Sequence, residues 1–150
     1  MNNDFKNKYQ TILLLDVIEH IENPTDFIQE LLKQYSTVTH IIITVPARKE
    51  VWSGYDVFFG HYRRYNLAMV SELLKEIRFK PIRTKYFFHS LYLPGYLGAL
   101  HILKRPVKVK TPKGAMKVIH NLMAGFLYID YLLFPDKFVG TSIICIASRI

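Results

Sequence analysis

With 150 residues, half of them hydrophobic and 21% charged, the chain can build one real core, which excludes a disordered or fibrous protein. Its single cysteine, Cys145, excludes a disulfide framework and fits a cytoplasmic setting. The net charge of +8 belongs to the second half: residues 1–75 hold eight Lys/Arg against nine Asp/Glu, residues 76–150 twelve against three, so an anionic partner is expected there.

The opening residues are polar and show no apolar signal region, and no run of twenty apolar residues is free of charge, so no membrane span is expected. Thr11 to Leu15 is an apolar run that reads as a strand buried on both faces, as in a parallel sheet. It ends in Asp16, Glu19 and His20, groups costly to bury without partners. The C-terminal end of such a strand is where open α/β sheets bind ligands.

Asn23-Pro24 with Asp26 predicts a helix start: a side-chain cap, a first-turn proline and an early acid. Phe27, Leu31 and Tyr35, with Ile28 and Leu32, form its apolar stripe, and Ser36-Thr37 ends it. His40 to Pro46 is a second buried strand, so a βαβ unit with parallel strands is expected. Residues 47–65 read as irregular and chemically dense, hanging over the same rim as Asp16 to His20. Asn66 caps a helix to about Ile77, with Leu67, Val70, Leu74 and Ile77 on one side. A third strand from Ile82 to Phe88 alternates with Arg83 and Lys85, which suggests a sheet edge. The last strand spans Val139 to Ala147. Before it lies an insertion, about 91–137, with a basic stretch from Lys104 to Lys117 and a helix from Ala115 to Phe134.

The segments LLLDVIEHIENP, IIITVPA, WSGYDVFFGHYRRYN and VGTSIICIASR together resemble the second half of class I S-adenosylmethionine-dependent methyltransferases, in particular the group that includes ubiquinone-biosynthesis O-methyltransferases. The likeness covers nearly the whole chain, read as a single domain 1–150, and GHYRRY after VPA is its most specific part. It implies a partial Rossmann-like α/β sheet whose strands match the family's fourth to seventh, the last antiparallel and inserted between its neighbours. It also implies S-adenosylmethionine as cofactor and methyl transfer to an oxygen of a small or lipid-linked acceptor. The sequence departs from the family where the methionine end of the cofactor would bind, since it has neither the glycine-rich first turn nor the ribose-binding acid. The full cofactor site is therefore not expected in this chain. Arg78 also stands where the family tends to have a glycine after its helix, which predicts a left-handed arginine. Without its neighbouring first strand, Thr11 to Leu15 becomes an exposed edge. The chain is then a piece of a longer protein, or that edge pairs with a second copy or a partner chain.

By resemblance, Leu15, Asp16, Val17, Ile18 and Glu19 pass beside the cofactor. His20 and His61 are the candidate acid-base residues, because imidazole can take a proton from a hydroxyl acceptor near neutrality. Two other readings stay open: Glu19 and His20 as a locally paired rim, or Asp16, Glu19, His20 and His61 as ligands of a divalent ion. Against the metal reading, the relatives that use one carry Glu where this chain has Asp16. Tyr62, Arg63, Arg64 and Tyr65 are assigned to the acceptor, two arginines suiting phosphate or carboxylate and two tyrosines an aromatic wall. The competing reading pairs Arg64 with Asp56 or Glu72 and leaves it pinning the loop. The acid-free basic stretch, flanked by aromatic and aliphatic residues, suggests peripheral membrane contact through 91–134. Nucleic acid is not expected, because no recognition motif accompanies the charge. The alternative to an enzyme is a non-catalytic module that binds a membrane surface or a partner chain.

Overall fold

The computed structural model describes residues 8–102, 111 and 113–150. Four strands form one sheet in the order β1-β2-β4-β3: β1 (Thr11–Leu15), β2 (His40–Pro46), β3 (Phe79–Phe87) and β4 (Ser142–Arg149). β1 and β2 are parallel, while β4 is antiparallel to both β2 and β3 and lies between them. This is the α/β arrangement with an inserted antiparallel last strand that the sequence implied.

The alternation of β2 and β4 sends Ile41, Ile43, Val45, Ile143, Cys145 and Ala147 into one face, where all six are buried. Helix α1 (Pro24–Gln34) covers that face with Ile28 and Leu32, and α3 (Leu67–Glu76) with Val70, Leu73 and Leu74. The cap expected at Asn23 is not made. Its side-chain amide donates to the Asp26 carboxylate at 2.6 Å instead, so the acid recruited for the helix dipole takes up the capping group. Asn66 does cap α3, accepting from the Met69 N–H at 2.9 Å.

Four expectations about strands are corrected. β1 is buried on one face only: Leu14 is in the core, whereas Leu13 and Leu15 are 58% and 54% exposed. The cause is position, since β1 is an edge strand and no described element lies over its other face. An apolar hollow of about 470 Å³ runs beside this edge, between Ile12 and Leu14 of the strand and Phe27 and Leu31 of α1. The third strand begins at Phe79, three residues early, and carries Pro81 next to a register shift; as the outer strand it tolerates a residue that cannot donate. Its edge position is as expected, but the alternation argument fails at Lys85, which is 3% exposed. The ammonium donates to the Tyr131 carbonyl, lies 4.2 Å from that ring centroid and 3.6 Å from Asp136. The last strand starts at Ser142, because Gly140 and Thr141 first pass under the end of β3. A Cβ on Gly140 would stand 2.5 Å from the Phe87 carbonyl oxygen.

The segment 47–65 is more ordered than its composition suggested, with a 3-10 turn at Lys49–Val51 and a short helix, α2 (Gly54–Phe59). Arg78 takes the left-handed conformation anticipated for it, with φ of 59°. Among the described residues the insertion holds α4 (Tyr92–Ile102) and α5 (Ala115–Leu133). Asp130, buried on α5, accepts the N–H groups of His89 and Ser90 at 2.8 Å each and so ties both helices to the end of β3. Lys104, Arg105, Lys108 and Lys110 of the basic stretch lie outside the described residues.

Candidate active site

β1 and β2 end at one rim. Beyond Leu15 the backbone turns at Asp16, whose φ of 51° is a left-handed value that costs a non-glycine residue about 1–2 kcal/mol. The turn is held from β2: the Asp16 N–H donates to the carbonyl and hydroxyl oxygens of Thr44 at 3.0 and 3.1 Å, and the Thr44 hydroxyl donates to Asp16 Oδ1 at 3.2 Å. Strain fixed by neighbours at a strand end is a common mark of a functional site.

The following 3-10 turn, Ile18–His20, places Ile18 in the core, Glu19 inside and His20 at the surface. Of the residues assigned to cofactor, Leu15 is exposed, Asp16 is turned to Thr44, Val17 is partly buried against the core, and Ile18 has no exposed side chain. Glu19 is buried. Its side chain is 1% exposed, Oε2 has no hydrogen-bond partner, and His20 Nε2 lies 3.9 Å from Oε1. Burial, reinforced by the nearby Asp16 charge and only partly offset by a bond to its own backbone N–H, pushes its carboxyl up to about 7.

His61 arrives from the other side. The Tyr62 N–H donates to the Glu19 carbonyl at 2.7 Å, which sets the His61 ring edge-on to His20 at a centroid distance of 4.7 Å. One ligand-capable atom each from Glu19, His20 and His61 fall within 4.8 Å of one another. The fold thus brings the two histidines and Glu19 together across some forty residues of sequence, while Asp16 does not join them.

Behind His61 stands Asp56, buried at the start of α2. Its Oδ1 lies 2.9 Å from His61 Nδ1, and Arg64 donates to both oxygens, from Nε at 2.8 Å and Nη2 at 3.0 Å. Ser53 completes a capping box, its N–H donating to Oδ2 at 2.8 Å. Burial opposes ionisation of Asp56, but the Arg64 guanidinium, the Ser53 N–H and His61 outweigh it and hold the carboxyl below the ordinary aspartate range. Asp56 was missed as a functional partner in the sequence. The available signal was Ser53-x-x-Asp56, a helix-start pattern five residues before His61.

The paired arginines do not form a clamp. Arg64 is consumed by Asp56 and the Ala47 carbonyl, so it pins the loop, while Arg63 Nη2 donates to the Glu22 carbonyl at 2.6 Å. Tyr65 is also internal. Its hydroxyl donates to the Ile18 carbonyl at 3.2 Å, and burial pushes its pKa up to about 12. Tyr62 is exposed. All four residues assigned to the acceptor, Tyr62, Arg63, Arg64 and Tyr65, nonetheless line one cavity of about 730 Å³ with Arg48 and Trp52, and Glu19, His20 and His61 are not part of its lining.

No family model matches the sequence, and no curated protein matches it. Among solved structures it is similar to a SAM-dependent methyltransferase from Archaeoglobus fulgidus, at 17% identity and a TM-score of 0.48 over 97% of this chain and 62% of that one. It is also similar to magnesium protoporphyrin IX methyltransferase from Synechocystis PCC 6803, determined with bound SAH, at 16% identity and a TM-score of 0.44 over 99% of this chain and 48% of that one. The chain therefore spans less than two thirds of the length of either.

Proposed function

We propose that the chain is the acceptor-side half of an S-adenosylmethionine-dependent methyltransferase, acting on an oxygen of a small or lipid-linked molecule in a cytoplasmic setting. The observation that supports this best is the Asp56–His61 pair facing Glu19 and His20 at the C-terminal rim of two parallel strands. That is where such sheets bind ligands. The motif likeness and the inserted antiparallel β4 point the same way.

The residues present suit one flank of the cofactor. Leu13 and Leu15 offer an exposed apolar ledge beside the strained Asp16 turn, but no described residue supplies a glycine-rich turn next to β1. The bound cofactor would supply an activated methyl group. The chain's own part is to position the acceptor and take its proton. Asp56 accepts from His61 Nδ1–H, which leaves Nε2 as the basic nitrogen of the neutral ring, and the clamp from Arg64 keeps Asp56 ionised for that task. The missing bank is to be supplied along the β1 edge, by the remainder of a longer protein or by a second chain.

The test is backbone NMR of the protein titrated with S-adenosylhomocysteine. Expected are shifts confined to Leu13–Glu19 and about millimolar affinity, as suits half a site. Saturation with shifts elsewhere, or none at these residues up to the solubility limit, overturns the assignment. A second reading is favoured by one observation, the unpartnered buried Oε2 of Glu19 between two histidines: a divalent cation held by Glu19, His20 and His61, with Asp56 orienting His61 from behind. It would lower the pKa of an acceptor hydroxyl. Titration with Mn²⁺ decides it, through relaxation of the His20 and His61 ring protons that Glu19→Gln abolishes.

A further inference from the structure

Among the described residues, α5 has no packing partner over most of its surface. Only its last third meets the body, through buried Asp130 and partly buried Leu127 and Tyr131. On the opposite side Val118, Leu122, Phe126, Ile129 and Leu133 recur at intervals of four, four, three and four, one continuous helical stripe. These five side chains are 53 to 75% exposed, a large apolar surface for a protein to leave in water.

The charge around the stripe identifies its counterpart. Between the end of β3 and Asp130 the sequence has no acidic residue, while six Lys/Arg occur there, Lys104, Arg105, Lys108, Lys110, Lys113 and Lys117. Lys113 and Lys117 lie at the N-terminal end of α5, exposed. A second copy of the chain would bring these like charges face to face, whereas an anionic surface complements them. Among the described residues no helix is long and apolar enough to cross a membrane, so the stripe suits a helix lying in the interface.

We propose that α5 docks the protein on an anionic lipid surface, the stripe Val118–Leu122–Phe126–Ile129–Leu133 entering the headgroup boundary while the exposed Lys113 and Lys117, on the polar side at its N-terminal end, add electrostatic attraction to the anionic headgroups. Asp130 and the end of β3 hold the helix from the side away from the membrane. This goes beyond the methyl-transfer proposal and does not depend on it, since the experiment reads lipid binding alone.

The experiment is sedimentation of the whole protein with vesicles of pure phosphatidylcholine and of phosphatidylcholine containing phosphatidylglycerol, at low and high salt. Strong partition into the anionic vesicles at low salt, with release by salt, is expected. Lys113→Gln with Lys117→Gln lowers the partition about 25-fold, near fivefold for each charge. Leu122→Ser with Phe126→Ser lowers it on the order of a hundredfold. Leu122 and Phe126 are more than half exposed, so the urea midpoint stays unchanged; should the apolar double variant fail to fold, Lys117→Gln alone, at about fivefold, carries the test. Absence of anionic binding at low salt overturns the proposal. So does equal partition into the neutral vesicles, undiminished binding by the apolar variant, or a stable dimer in light scattering that Leu122→Ser with Phe126→Ser dissociates.

Discussion

Replacing Asp56 separates a structural ion pair from a site that also sets the histidine. Asp56 is buried and receives both arms of Arg64, the Ser53 N–H and His61. Asp56→Ala leaves a largely buried guanidinium without its partner, a loss of about 3–5 kcal/mol for a broken buried pair. Asp56→Asn keeps the shape and one accepting oxygen but not the charge, and should lose roughly half as much. The pH dependence carries the sharper signature. The carboxyl is held below its ordinary value in the folded protein, so its stabilisation is complete above the unfolded value near 3.8 and is lost as pH falls through the folded one. Urea unfolding of wild type and Asp56→Asn should therefore differ fully at pH 7 and converge in strongly acidic solution. A difference below about 1 kcal/mol at pH 7 would place Asp56 among ordinary surface pairs and refute the argument. An equal difference at both pH values would refute the ionised clamp.

Glu19 should behave in the opposite sense. Its carboxyl is raised from 4.5 to about 7 in the fold, so stability is lost as pH climbs through that window, and Glu19→Gln should be more stable than wild type at pH 8 by about 2–3 kcal/mol yet nearly equal to it at pH 4, by chemical denaturation. Gly140→Ala drives a methyl group into the Phe87 carbonyl and should cost about 1–3 kcal/mol, read as a lowered Tm; an unchanged Tm would show that β3 and the 139–141 segment separate freely. On the methyl-transfer proposal, His61→Asn in a protein carrying both banks of the site should reduce kcat by about 10²–10⁴ with little change in KM for S-adenosylmethionine, and an unaltered rate would remove the general-base role.

The sequence carried the topology because each strand has its own signature. Four apolar residues ending in Asp16, the Ile41–Ile43 run stopped by Pro46, and the closing apolar strand are local patterns, and the resemblance supplied their order. What stayed hidden was set by partners distant in sequence. Lys85 alternates as a solvent-facing residue should, yet it is buried because Tyr131 and Asp136 return from the insertion to receive it. Arg63 and Arg64 read as a matched pair, but successive side chains diverge, and one meets Asp56 while the other meets Glu22. His20 and His61 were legible as candidates by type. Asp56, which gives His61 its direction, was not, because a capping box looks the same whether or not its acid also serves a histidine.

Two of the apolar surfaces that the described residues leave open, the β1 edge and the α5 stripe, are distinguished by their surroundings. Leu13 and Leu15 stand on an edge strand with free backbone groups and a hollow beside it, near Asp16 in a half of the chain where acids slightly outnumber bases. An edge of this kind is completed by another strand, since only a strand satisfies the backbone as well as the side chains. The α5 stripe has its backbone bonded within the helix and needs only apolar cover, and the charged residues that precede it, from the end of β3 to Lys117, are all basic. Leu13→Lys should therefore weaken any association through the β1 edge, measured by light scattering, without changing partition into anionic vesicles, while Leu122→Ser should do the reverse. If one substitution abolished both behaviours, the two surfaces would form a single interface and the assignment of separate partners would fail.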